Sequence, residues 1–168
     1  KDVYKYKQIA SRISSYKNNL ITVRAYYENP ELQEADAMAK HPRMGEIYRN
    51  YVDRCFKAGA MDFDDLLLRT NELLNVFPEV LAKYQQRFRY IMVDEYQDTN
   101  HSQYLIVRAL ADRFQNICVV GDDAQSIYAF RGANIDNIFN FQKDYRNVGV
   151  YRLEQNYRST RNIVEAAN

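Results

Sequence analysis

The chain has 168 residues, with 23 Lys and Arg against 22 Asp and Glu for a formal charge of +1. Hydrophobic residues make up 46% and charged residues 27%, enough to build an ordinary core and too apolar for a disordered tail. No apolar run approaches the roughly 20 residues that span a bilayer, and the first residues lack the apolar centre of a leader, so a membrane protein is not expected.

Near-neutral charge argues against a wholesale basic nucleic-acid binder, but the average hides a local excess. Lys1, Lys5, Lys7, Arg12, Lys17 and Arg24 face Asp2 alone in the first stretch. A solvated helix face and a phosphate-tracking patch both account for this. Ile9, Ile13, Tyr16, Leu20 and Val23 recur at alternating steps of four and three, the stripe of one helical face. Pro30 and Pro42 bracket an acidic stretch. A stronger amphipathic helix follows, with Met44, Ile47, Tyr48, Tyr51, Val52, Cys55 and Phe56 on one side and Gly59 placed to end it. Asp62 is placed to cap the next helix, with Asp65 in its first turn and Leu66, Leu67, Leu73 and Leu74 expected inside. Pro78 suits the opening of one more.

After Arg89 the pattern changes to short apolar runs at 90–93, 117–120 and 148–153, separated by helical segments around 102–113 and 135–143. Continuous apolar runs of this length fit strands buried on both faces of a parallel sheet, and the alternation is that of an α/β fold. A further helix starts near Thr160. Cys55 and Cys118 sit in apolar stretches without CxxC spacing, and His41 and His101 stand outside any ligand-like cluster. Reduced thiols and a cytoplasmic setting are therefore expected.

Each apolar run ends in an unusually polar cluster, and ligands of open α/β sheets bind along that edge. The first is Asp94, Glu95, Tyr96, Gln97, Asp98 and Thr99. An apolar strand ending in Asp-Glu is the Walker B arrangement of nucleotide hydrolases, in which the Asp takes Mg²⁺ and the Glu polarises a water. The second runs from Gly121 and Asp122 through Gln125 to Tyr128, Phe130 and Arg131. Its glutamine suits a terminal phosphate, and its flat rings and cation suit unpaired bases and backbone phosphate. The third, Gln155 to Thr160, offers Tyr157 to stack on a purine and Arg158 to neutralise a phosphoryl group. Taken singly, each has a bland counterpart: a solvated acidic turn, aromatic packing, or a helix cap at Ser159 or Thr160.

Taken together and in this order, the three clusters resemble motifs II, III and IV of the UvrD/Rep-type superfamily 1A DNA helicases. The resemblance is dense from about Met61 onward, where Asp62, Phe63, Asp64, Asp65 and Leu66 resemble the family's approach to motif II. Residues 1–60 resemble part of the helical subdomain 1B. Residues 61–156 resemble the second half of motor domain 1A, and 157–168 the start of the connection to the second motor domain. The resemblance implies a partial RecA-like parallel sheet preceded by a helical subdomain. It implies an enzyme that couples ATP hydrolysis to 3′ to 5′ movement on single-stranded DNA and opens duplex junctions.

On that resemblance Asp94, with Glu95 beside it, holds Mg²⁺, and Glu95 activates the hydrolytic water. Gln97 and Gln125 couple the γ-phosphate to the motor, Tyr157 stacks on adenine, and Arg158 reaches the γ-phosphate. Tyr128, Phe130 and Arg131 meet the single strand. Phe130 stands where many relatives carry Trp, a smaller stacking face in the same role.

No GxxxxGK[ST] loop occurs in the chain, so nothing in it cradles the β- and γ-phosphates. The expectation is a piece of a longer motor that neither hydrolyses ATP nor unwinds DNA by itself, and that self-associates through exposed sheet edges. The competing class is a non-catalytic DNA- or protein-binding module with a helicase-like shell. The intact Asp94, Glu95 and Arg158 speak against it.

Overall fold

A computed structural model of the protein describes residues 4–122, 136–153, 155 and 157–167, with the side chains of 136–139 and 167 left undescribed. Among these residues the chain is mixed α/β: six helices lead into two parallel strands, and three more helices are interleaved with or follow them.

The helical part is built from α1 (Tyr6–Asn18), α2 (Val23–Tyr27), α3 (Pro30–Met38) and α4 (Met44–Lys57). Ile9, Ile13, Tyr16, Tyr26, Met44 and Tyr48 form its core, flanked by Tyr4, Ile21, Val23, Leu32, Ile47 and Val52. The predicted stripe through Leu20 and Val23 breaks in two. α1 stops at Asn18, Leu20 turns to φ 58°, and Thr22 caps a new helix through its hydroxyl and the Ala25 amide. The Leu20 and Ile21 amides close the turn onto the Lys17 and Tyr16 carbonyls, a Schellman ending with leucine where glycine is usual. At α4 the expected glycine does the job. Gly59 lies at φ 60°, and the Gly59 and Ala60 amides bond the Phe56 and Cys55 carbonyls. Gly45 has a different use: a Cβ there would lie 2.5 Å from a ring carbon of Tyr26, so its absence lets α4 lie against α2.

The predicted apolar face of α4 is only partly covered. Met44 and Tyr48 are buried, but Tyr51 and Phe56 at the far end are exposed. α5 (Phe63–Val76) starts as expected at Asp62, which shares a reciprocal capping box with Asp65. The buried leucines, however, are Leu68 and Leu74. Leu66 and Leu73 face outward and Leu67 is half-buried. The rotation follows from contact: α5 packs on α1, on α6 (Pro78–Arg87) and on α7 (His101–Ala111), and these neighbours choose its inner face.

Strands β1 (Ile91–Val93) and β2 (Ile117–Val119) pair in parallel, Ile91 opposite Ile117 and Val93 opposite Val119, with α7 as the crossover. Two predictions fail here. The strands are not buried on both faces: Met92 is 80% exposed and Cys118 is exposed, because no layer among the described residues covers that side. The run at 148–153 forms no strand; Val150, Tyr151 and Leu153 are exposed and the sheet has two strands among the described residues. α8 (Asp136–Asp144) and α9 (Arg161–Ala167) form close to where the sequence places them.

Candidate functional site

Part of the local basic excess of the first stretch is taken up in ion pairs, one of them inside the protein. Lys17 is fully buried, its Nζ 2.7 Å from Asp62 and 2.8 Å from Asp65, with the Tyr51 ring 4.9 Å away. Arg12 pairs at 2.9 Å with Asp36, a buried carboxylate that also accepts from the Tyr16 and Tyr26 hydroxyls. Arg24 pairs with Glu28 on the surface. What remains is a shallow groove along α1 lined by Lys7, Gln8, Ser11, Arg12 and Ser15.

The carboxyl end of β1 is more organised. The strand ladder continues past its last residue: the Val120 amide bonds the Val93 carbonyl at 2.8 Å and the Tyr96 amide returns to the Val120 carbonyl at 2.9 Å. Between them Asp94 and Glu95 project to solvent. The Glu95 amide donates to Asp94 Oδ1 at 2.9 Å, and Glu95 takes φ 50°, ψ 42°. A non-glycine residue in this left-handed region costs on the order of 1–2 kcal/mol and is held only where its surroundings require it. Here the requirement is a reversal: the chain leaves the strand at Asp94 and enters a single 3₁₀ turn, Tyr96–Asp98, within one residue.

That turn buries two side chains. Tyr96 is 1% exposed and meets Phe141 of α8 edge-on at 5.9 Å. Gln97 is also 1% exposed; its Nε2 donates to Glu95 Oε2 at 2.7 Å and its Oε1 accepts the Asp122 amide at 3.1 Å. Asp98 Oδ1 is buried with no hydrogen-bond partner. The loop is then fastened to the helical part. Asn100 caps α7 in a reciprocal box with Gln103, and its Nδ2 donates to Asn18 Oδ1 at 2.7 Å; Asn18 in turn donates to Asp64 at 2.8 Å.

The structure thus brings together Asp94, Glu95 and Gln97 with the backbone of Asp122. Tyr157 is not packed with them: its ring is exposed and its hydroxyl donates to Gln155 at 3.2 Å. Arg158 follows it on the exposed segment before α9. Gln125, Tyr128, Phe130 and Arg131 lie outside the described residues. Sequence reasoning missed Asn18, Asn100 and Lys17. For Asn100 a signal existed, since Asn followed three residues later by Gln is the capping-box pattern. For Lys17 and Asn18 none did, because their partners lie more than forty residues away.

Among the described residues no group of three or more His, Cys, Asp or Glu side chains is assembled to hold a metal, and no helix is long and apolar enough to cross a membrane. Two adjacent carboxylates on an exposed loop suit instead a cation such as Mg²⁺, which draws one or two ligands from protein and the rest from phosphates and water.

Comparison with known proteins gives this geometry its family. The UvrD/REP helicase N-terminal domain matches residues 1–146, and the chain belongs to that family. It is 48% identical over 162 residues to the ATP-dependent DNA helicase PcrA of Bacillus subtilis (strain 168), covering 96% of this chain and 21% of that protein. It is 47% identical over 165 residues to PcrA of Leuconostoc citreum, covering 98% of this chain and 21% of the relative. PcrA of Staphylococcus epidermidis is 45% identical over 179 residues, with all of this chain and 24% of the relative covered. The chain therefore spans between a fifth and a quarter of the length of these curated relatives.

Proposed function

We propose that this chain is the part of an ATP-dependent DNA helicase motor that carries the water-activating and cation-binding carboxylates, within a RecA-like domain. The observation that carries the reading is the end of β1: Asp94 and Glu95 stand side by side in solvent, and Glu95 is held in a left-handed conformation with its carboxylate anchored. Oriented groups in a fixed frame are what phosphoryl transfer requires, because the protein's contribution is mostly positioning and electrostatics.

In this reading Asp94, with Glu95, holds Mg²⁺; the cation would neutralise charge on the phosphate oxygens. The Glu95 amide holds the Asp94 carboxylate at the strand end, where it would meet the cation. Glu95 accepts a proton from the attacking water. Gln125 and Arg158 meet the γ-phosphate and Tyr157 the adenine, its open ring face supporting that role. Tyr128, Phe130 and Arg131 contact single-stranded DNA. Residues 1–60 act as part of a 1B-like subdomain, 61–156 as the second half of the motor domain, and 157–168 as the start of the connection onward. The motor moves 3′ to 5′ in the cytoplasm and acts at duplex junctions.

The test is ATP hydrolysis by the full-length protein that contains this chain, with and without single-stranded DNA. Turnover that rises with DNA and falls by about 10²–10⁴-fold in Glu95→Gln is expected, the range of a lost general base. The 168-residue chain alone is expected to show none. A full-length protein that binds single strands without any turnover would instead be a binding module.

A further inference from the structure

Gln97 is the most constrained side chain of the loop after β1. A primary amide that is 1% exposed must find partners inside the protein, since an unmet buried polar group costs about 1–3 kcal/mol. Its partners fix which end is which. The Asp122 backbone amide can only donate, so the atom 3.1 Å from it is the carbonyl oxygen, and the NH₂ group therefore faces the Glu95 carboxylate, an acceptor, at 2.7 Å. Of the residues with this reach, only glutamine carries both a donor and an acceptor at its tip. Glutamate would set a second carboxylate against Glu95; methionine would meet neither partner.

The backbone makes the contact possible. The left-handed turn at Glu95 and the 3₁₀ turn after it fold residue 97 back over residue 95, while the Tyr96 amide is held to Val120. Gln97 thus closes a bridge from the Glu95 carboxylate to the main chain just beyond β2. Both ends of the amide are engaged within the protein, and the side chain is 1% exposed.

We propose that Gln97 is a positioning residue: it fixes the Glu95 carboxylate and ties it to the backbone of Asp122, and it acts through Glu95 instead of binding the nucleotide. The inference rests on the reading of Glu95 as the water-activating group. It is tested in the full-length protein with Gln97→Met, which removes both hydrogen bonds, and Gln97→Glu, which keeps an acceptor for the Asp122 amide. Gln97→Glu also keeps the test readable if Gln97→Met does not fold.

Both variants are expected to lower kcat by on the order of 10²-fold, the effect of a misplaced reacting group, with the KM for ATP within about twofold of wild type. Combined with Glu95→Gln, neither is expected to lower the residual rate by more than about twofold further, because residues acting as one unit are not additive. A raised KM with kcat retained would make Gln97 a nucleotide ligand and overturn the proposal, as would additive losses in the double variants. Active wild-type protein with unchanged kcat in both single variants overturns it alone. A wild-type protein without ATPase activity removes the reading of Glu95 and this proposal with it.

Discussion

At the scale of single residues, the fully buried Lys17 shows how a charge placed by composition alone can be misjudged. Counted in a basic stretch, it turns out to bridge Asp62 and Asp65 across the α1–α5 contact. Burial by itself would raise the Asp62 carboxyl, but hydrogen bonds from Lys17, Tyr51 and the Asp65 amide outweigh it and hold its pKa below the ordinary value. A carboxylate depressed in the folded state contributes stability above its unfolded pKa, about 3.9, and loses it as pH falls through the folded value. Asp62→Asn isolates that term, since Asn caps a helix about as well as Asp. Urea unfolding of the 168-residue chain should show the variant less stable than wild type at neutral pH. The gap should close as pH drops below about 4; a gap independent of pH would assign the loss to the cap.

At the scale of elements, three helices end in the same Schellman geometry but with different residues in the left-handed position: Leu20 after α1, Lys40 after α3 and Gly59 after α4. Only the glycine was visible as a stop. The other two ends are imposed by the carbonyls that the following amides satisfy, with Lys40 and His41 bonding Ala37 and Asp36. Lys40 is exposed, so its side chain contributes little to offset its backbone cost. Lys40→Gly should therefore raise stability by about 1 kcal/mol and Gly59→Ala should lower it by a similar amount, read as opposite shifts of the unfolding midpoint. Nothing lies within 4 Å of a Cβ added at Gly59, so that loss would be conformational and not a clash.

At the scale of the whole molecule, an apolar face stays open among the described residues: Tyr90 and Met92 at β1 are each 80% exposed, beside Val120 at the end of β2. Apolar faces of this kind mark association surfaces. Sedimentation of the 168-residue chain should show concentration-dependent self-association that Met92→Lys weakens. A chain that stays monomeric at about 100 μM, far above the affinity of a micromolar contact, would show that the open face does not drive it.

The sequence by itself determined what depends on near neighbours. The cap at Asp62, the glycine stop at Gly59, the helix opening at Pro78, the two apolar strands and the acidic pair at the end of the first were all legible, because each signal and its partner lie within a turn or two. The family, too, was carried by ordered clusters of adjacent residues. Tertiary structure alone decided which leucines of α5 face inward, that Lys17 is an interior ion-pair partner, and that the run at 148–153 stays out of the sheet. It also decided that Gln97 spans from Glu95 to Asp122. Those outcomes depend on which distant segments are brought together, and packing chooses among faces and partners that local propensity leaves equal.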